Sequence, residues 1–330
     1  MRINKHCYVS LYNILILIMI IAFFSFFAGC RQNRSAAGQS RNGKINVTAA
    51  VFPAYDFVRK IAEDRVNLTM LLPPGAESHS FEPSPKDIIT IQNSGVFIFI
   101  GGNNDMWVER ILQSMNTENM KILAMMDMVD VLEEEFAEGM EYDHDHDDPD
   151  HYCDVEYDEH VWTSPGNAVI IVRMITDLLC ETDAENEALF RQNASLFIEE
   201  LLQLDAAFSE VAANAKRKTV IFGDRFPFRY LVDAYGLSYF AAFSGCSTET
   251  EPSAAAVAFL INKVRDEKIP VVFHIELSNE RMADIISSET GVKKLLLHSV
   301  HNVTKRDFDL GIGYLELMRL NIKNLKEALY

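Results

Sequence analysis

The chain has 330 residues, of which 48% are hydrophobic, 10% aromatic and 24% charged, the proportions of a folded globular protein and not of a disordered one. Thirty Lys and Arg against 48 Asp and Glu leave a net charge of −18, which argues against a nucleic-acid or anionic-lipid partner for the folded part. Fourteen of the acidic groups fall within residues 133–159, where there is no Lys or Arg, so the rest of the chain carries only −4 and the acidity is a local feature.

Residues 7–29, CYVSLYNILILIMIIAFFSFFAG, are uncharged and follow a short basic start at Arg2 and Lys5. No amphipathic stripe marks them as a core helix, and the pattern over residues 1–29 is that of an export signal. Phe27-Ala28-Gly29-Cys30 resembles a bacterial lipobox, in which Cys30 is lipidated and becomes the new N-terminus. An uncleaved anchor of near-spanning length is the alternative, and either reading puts the folded part outside the cytoplasm. Residues 30–44 read as a flexible polar tether. Roughly 300 residues remain, enough for two domains and for a core that needs no staples. Beyond Cys30 there are three thiols, Cys153, Cys180 and Cys246, an odd number without a CxxC spacing, which reads as buried or incidental cysteines.

Apolar strand-like runs at 45–51, 66–72 and 96–100 alternate with helical stretches at 55–63, 86–92 and 107–115. The alternation returns later, with strands at 219–222, 271–275 and 294–297 and helices at 254–266, 281–290 and 314–329. This pattern predicts an α/β protein of two lobes, each with a mostly parallel sheet flanked by helices. Ser84-Pro85 and Ser164-Pro165 each place Ser at a helix N-cap and Pro at the first helical position. Residues 167–215 are almost wholly helical, broken near Thr182-Asp183, and carry no strand signal. The predicted division is therefore an N-terminal lobe at 45–165 containing the acidic loop 133–159, a helical connector at 166–217, and a C-terminal lobe at 218–330. Asp224 is expected to cap a helix over residues 226–235.

The histidines outside the leader sit in loops and at strand ends, apart from His274 within a strand. His79 lies in LLPPGAESHSFEPSP and His160 in EYDEHVWTSP, while Glu276 ends the strand VVFHIE and His298 and His301 follow KKLLL. Ligands of open α/β sheets bind outside the carboxyl ends of the strands, so groups from both lobes can meet in one cleft. Any one loop histidine is as readily solvated or bonded to backbone; several imidazoles with carboxylates suit a borderline divalent metal such as zinc. His274 and Glu276 alternate on one strand face, so that one can orient the other. In EYDHDHDDPDHYCDVEYDEH, His144, His146 and His151 alternate with Asp in a solvated loop that offers weak, exchangeable ligands as an accessory metal site.

VTAAVFPAYDFVRKIAEDRVNLTMLLPPGAESHSFEPSPKDI, then DEHVWTSPGNA, then a helical connector and FPFRYLVDAYGL, resemble the metal-binding lipoproteins of zinc and manganese ABC importers, the cluster A-I solute-binding proteins. The resemblance covers nearly all of the chain after its leader, and the His-rich acidic loop points to the zinc branch. It implies two α/β lobes joined by a rigid long helix, a monomer that binds Zn(II), or less readily Mn(II), between the lobes, and a membrane permease as partner. It implies His79 and His160 as the first two ligands. The family's third histidine position falls on Gly223, and its late acidic position on His298, leaving three imidazoles, His79, His160 and His298. Glu276, His301 or Asp224, in that order, would complete the shell.

The expected function is thus capture of zinc outside the cytoplasm and its delivery to an importer, without catalysis. A manganese or iron receptor of the same fold is one alternative. A secreted zinc hydrolase with Glu276 as general base is another, although no HExxH is present. A surface adhesin is a third, for which the sequence offers no distinguishing feature.

Overall fold

The computed structural model describes residues 43–78, 81–140, 156–246 and 253–330, all within one compact unit. The leader with Cys30, His79, the loop histidines His144, His146 and His151, and Cys153 lie outside the described residues. Among the described residues no helix is long and apolar enough to cross a membrane.

Strand β1 (Ile45–Ala49) pairs in parallel with β2 (Val66–Met70) on one side and β3 (Val96–Phe99) on the other; β4 (Lys121–Ala124) closes a sheet of order β2-β1-β3-β4. The sequence VFIF of β3 is buried throughout, as a strand covered on both faces of a parallel sheet requires. Crossovers run through α1 (Phe52–Ala62), α2 (Pro85–Gln92) and α3 (Met106–Gln113). Ser84 caps α2 as expected: its hydroxyl accepts the Asp87 amide, and the Asp87 carboxylate accepts the Ser84 amide at 2.9 Å. At the base of the acidic segment, Glu133 and Tyr157 form an antiparallel bridge that brings its two ends together.

After α4 (Pro165–Thr182) the chain turns at Asp183 into α5 (Glu187–Asn214), a 28-residue helix about 42 Å long. Ser164 caps α4 through the Asn167 amide. The second sheet has β5 (Thr219–Phe226), β6 (Ser238–Ser244), β7 (Val271–His274) and β8 (Lys293–Leu296), all parallel, in the order β6-β5-β7-β8. Its helices are α6 (Arg229–Tyr235), α7 (Ala254–Glu267), α8 (Arg281–Thr290), the short α9 (Lys305–Asp309) and α10 (Tyr314–Leu329). The sequence reading lacks β4 and β6. Both are edge strands, and both are apolar runs, residues 122–124 and 239–243, that the reading passed over.

One correction concerns Asp224. The strand β5 runs four residues further than expected, through Asp224 itself, and α6 starts only at Arg229, after Phe228 with no capping side chain. Asp224 instead accepts the Arg225 amide at 2.9 Å and, across the sheet, the Ile275 amide at 3.2 Å. A register shift between Phe222 and Arg225 interrupts the ladder at this point. Such irregularities re-aim side chains next to functional sites.

The connector α5 packs on α4, α1 and α10. A single hydrophobic cluster, including Phe57, Phe97, Phe190, Phe208, Phe222 and Tyr314, runs through both sheets and the connector, with a smaller cluster around Leu260, Val272 and Ile286. Buried polar bonds also join the halves. Trp162 donates its indole N–H to the Ser299 carbonyl at 2.8 Å, and the Tyr314 hydroxyl donates to the Trp162 carbonyl at 2.7 Å. Asp56, fully buried, accepts the Tyr314 amide at 2.8 Å and the Arg59 guanidinium.

Candidate metal centre

The carboxyl ends of the two sheets face one cleft whose lining includes Ser78, His160, Asp224, Arg225, Glu276 and His301. His160 enters from the N-terminal half, just before a 3-10 turn (Val161–Thr163) and the Ser164-capped α4. It is fully buried. Its Nδ1 lies 3.2 Å from Asp158 Oδ1, which also accepts the His160 amide at 2.8 Å. A carboxylate only accepts, so in the neutral ring the proton sits on Nδ1 and Nε2 carries the lone pair that could hold a metal. Burial lowers the basicity of this imidazole, but Asp158, then Glu134 and Glu159, outweigh it and hold its pKa above the ordinary histidine value.

His301 enters from the C-terminal half and its ring centre is 5.2 Å from that of His160, at 79°. Trp162 packs edge-on against both rings. The His301 Nδ1 is 3.2 Å from the Ser78 hydroxyl, on the loop that follows β2. Asn302 ties the same loop down, donating to the carbonyls of Pro73 and Ala76 at 2.8 Å each. The residue after Ser78 in the chain is His79, which lies outside the described residues. Among the described residues no three His, Cys, Asp or Glu side chains close on a single point.

Glu276 is 7% exposed and serves the backbone of the opposing loop. It accepts the Ser299 amide at 2.7 Å, the Ser299 hydroxyl at 2.6 Å and the His301 amide at 3.2 Å. Within that loop Val300 holds a φ of +62°, a conformation costly for a β-branched residue and tolerated because its neighbours on both sides are held.

His298 is buried but does not line the cleft: its Nδ1 accepts the Val300 amide at 3.0 Å, and its own amide and carbonyl are held by the Asn321 side chain at 2.7 Å. The imidazole placed beside His160 is that of His301. Gly223 faces α8, where an added Cβ would come within 2.7 Å of the Ala283 backbone, so no side chain at 223 reaches the cleft; β5 lines it with Asp224 and Arg225. His274 and Glu276 do not orient one another, since His274 Nδ1 lies 3.1 Å from the Ile275 carbonyl and Glu276 turns to Ser299 and His301.

The sequence reading did not single out Asp158, Ser78 or Arg225. An Asp two residues before a candidate ligand is a usable local signal, because it can reach both the ring and the amide; Ser78 and Arg225 acquire their roles only across the cleft. A second cavity on the other side of His301 is lined by Ser78, Phe81, Asp105, Trp107 and Glu159. There burial pushes the Asp105 carboxyl up to about 7, against the amides of Gly101 and Ile100 that stabilise its anion, and Glu159 is raised for the same reason.

The family described as zinc-uptake complex component A, periplasmic (ZnuA) matches residues 47–328. The zinc-binding lipoprotein AdcA of Streptococcus pneumoniae is 34% identical over 304 residues, 92% of this chain; the chain spans 58% of that relative's length. The high-affinity zinc uptake system protein ZnuA of Bacillus subtilis is 30% identical over 315 residues, which cover 95% of this chain and 97% of that protein. The crystal structure of the Zn(II)-bound ZnuA-like domain of S. pneumoniae AdcA has a TM-score of 0.72 at 31% identity, over 87% of this chain and 99% of that one.

Proposed function

The chain belongs to the zinc-uptake complex component A family, and from that premise we propose that it captures Zn(II) outside the cytoplasm and hands it to the permease of an ABC importer. The observation that carries this reading is the pair His160 and His301, 141 positions apart in the chain, whose rings meet at 5.2 Å in the cleft between the sheets. In this proposal His79, His160 and His301 are the zinc ligands. Glu276 holds the loop of His301 through Ser299 and lines the same cleft, which makes it the carboxylate proposed for a fourth position. Nitrogen-rich coordination favours zinc over manganese, which prefers more oxygen ligands.

The division into lobes at 45–165 and 218–330 with a connector at 166–217 belongs to the same proposal. So does anchoring through a lipidated Cys30, with residues 30–44 as a tether. The acidic segment with His144, His146 and His151 gathers metal loosely near the cleft. The decisive experiment is a zinc titration of metal-stripped protein against a chromophoric chelator, with Mn(II) competing. We expect one tight zinc per chain, lost on His160→Ala, His301→Ala and His79→Ala and retained in His298→Ala. Tighter binding of manganese than of zinc, or indifference to His160→Ala and His301→Ala together, overturns the assignment.

A further inference from the structure

A cleft that takes up a dication is here walled in part by a permanent cation. Among the described residues that line it, Arg225 is the one lysine or arginine. Its side chain is 13% exposed and Nη1 donates to Glu77 Oε1 at 3.0 Å. The pair spans the cleft: Arg225 comes from the irregular end of β5, and Glu77 from the loop after β2 that also carries Ser78 to His301. The other charged groups of the lining are Asp224, whose oxygens accept the Arg225 and Ile275 amides, and Glu276, which is committed to the His301 loop. A guanidinium does not shed its proton to relieve the repulsion. In a partly buried site, charge–charge effects are several-fold stronger than in water.

We infer that Arg225 is an affinity-setting residue of the zinc site: its charge opposes the bound ion, Glu77 offsets that opposition, and the balance keeps zinc releasable to the next carrier. The inference rests on the zinc-capture reading above. A cross-cleft latch is the competing account of the same ion pair, and the two differ in sign. If the pair only holds the cleft together, removing either partner weakens zinc binding. If charge sets affinity, Arg225→Gln tightens it and Glu77→Gln loosens it.

The test is zinc competition against a chromophoric chelator on the wild-type chain, Arg225→Gln, Arg225→Lys, Glu77→Gln and the double variant, at low and high salt. We expect Arg225→Gln to bind zinc on the order of tenfold tighter or more, with slower transfer to the chelator. Arg225→Lys should stay close to wild type, Glu77→Gln should bind more weakly, and the double variant should return towards wild type. Arg225→Met replaces the Gln variant if that one does not fold. Weaker or unchanged binding when the charge at 225 is removed overturns the inference. Failure of the wild-type chain to bind zinc at all, measured first, refutes the functional reading instead.

Discussion

At the scale of single residues, the strongest device in the cleft is Asp158 behind His160. It selects the ring tautomer, fixes the ring's direction and raises its basicity in a buried place that would otherwise lower it. Asp158→Asn should cost roughly 10–100-fold in zinc affinity, the usual penalty for losing the partner that orients a metal-binding histidine. It should also move the acid loss of binding to lower pH, because the largest influence raising the ring's pKa is then gone and protons compete less well for it; titrations between pH 5 and 8 check both, and an acid limb that stays put refutes the role. Asp105 gives a second pH effect, on stability. Its carboxyl is raised in the folded state to about 7, whereas in the unfolded chain it ionises near 4, so its contribution is full below pH 4 and gone above pH 7. Asp105→Asn, which still accepts the Ile100 and Gly101 amides, should therefore gain on wild type between pH 5 and 8 by about 2–3 kcal/mol in urea unfolding. A gap that is the same at both pH values contradicts it.

At the scale of elements, β5 shows why a local reading runs out. The run of residues 219–222 is apolar and reads as a strand, but the strand continues through Gly223, Asp224 and Arg225, whose polarity resembles a helix start. It continues because Gly223 lies against the α8 backbone and Asp224 accepts the amide of Ile275, just past the end of β7, both of them long-range contacts. Gly223→Ala should destabilise the fold by about 1–3 kcal/mol from overpacking while leaving zinc stoichiometry at wild type. A thermal melt at the wild-type midpoint would show that α8 yields freely. By contrast, the Ser84 and Ser164 caps and the break at Asp183 were legible, since each depends on side-chain and backbone chemistry within three or four residues.

At the scale of the whole molecule, the two sheets are not independent bodies on a hinge. They share a continuous core and buried bonds from Trp162 to Ser299 and from Tyr314 to Trp162, and opening them would strand polar groups at a cost of about 1–3 kcal/mol each. Zinc loading should therefore leave the radius of gyration unchanged within scattering error and alter hydrogen exchange mainly in the loops around the cleft; a wide opening in the apo form would refute this. Removing residues 141–155 should abolish any weak additional zinc binding yet preserve the tight site, since Asp158 and His160 are anchored beyond the bridge of Glu133 with Tyr157. Loss of the tight site on that deletion would make the segment part of the centre.

The sequence by itself determined the alternation of strands and helices, the helical connector, the caps, and the candidates His79 and His160, because periodicity, capping and motif spacing are written within short windows of chain. It favoured His298 over His301, three residues apart in one loop, whereas the ring that lies beside His160 is that of His301. The difference depends on Asn321 holding the backbone of His298 and Glu276 holding that of His301, partners more than twenty residues away. Only the tertiary structure brings such partners together, and it alone placed the positive charge of Arg225 in the wall of the cleft that holds His160 and His301.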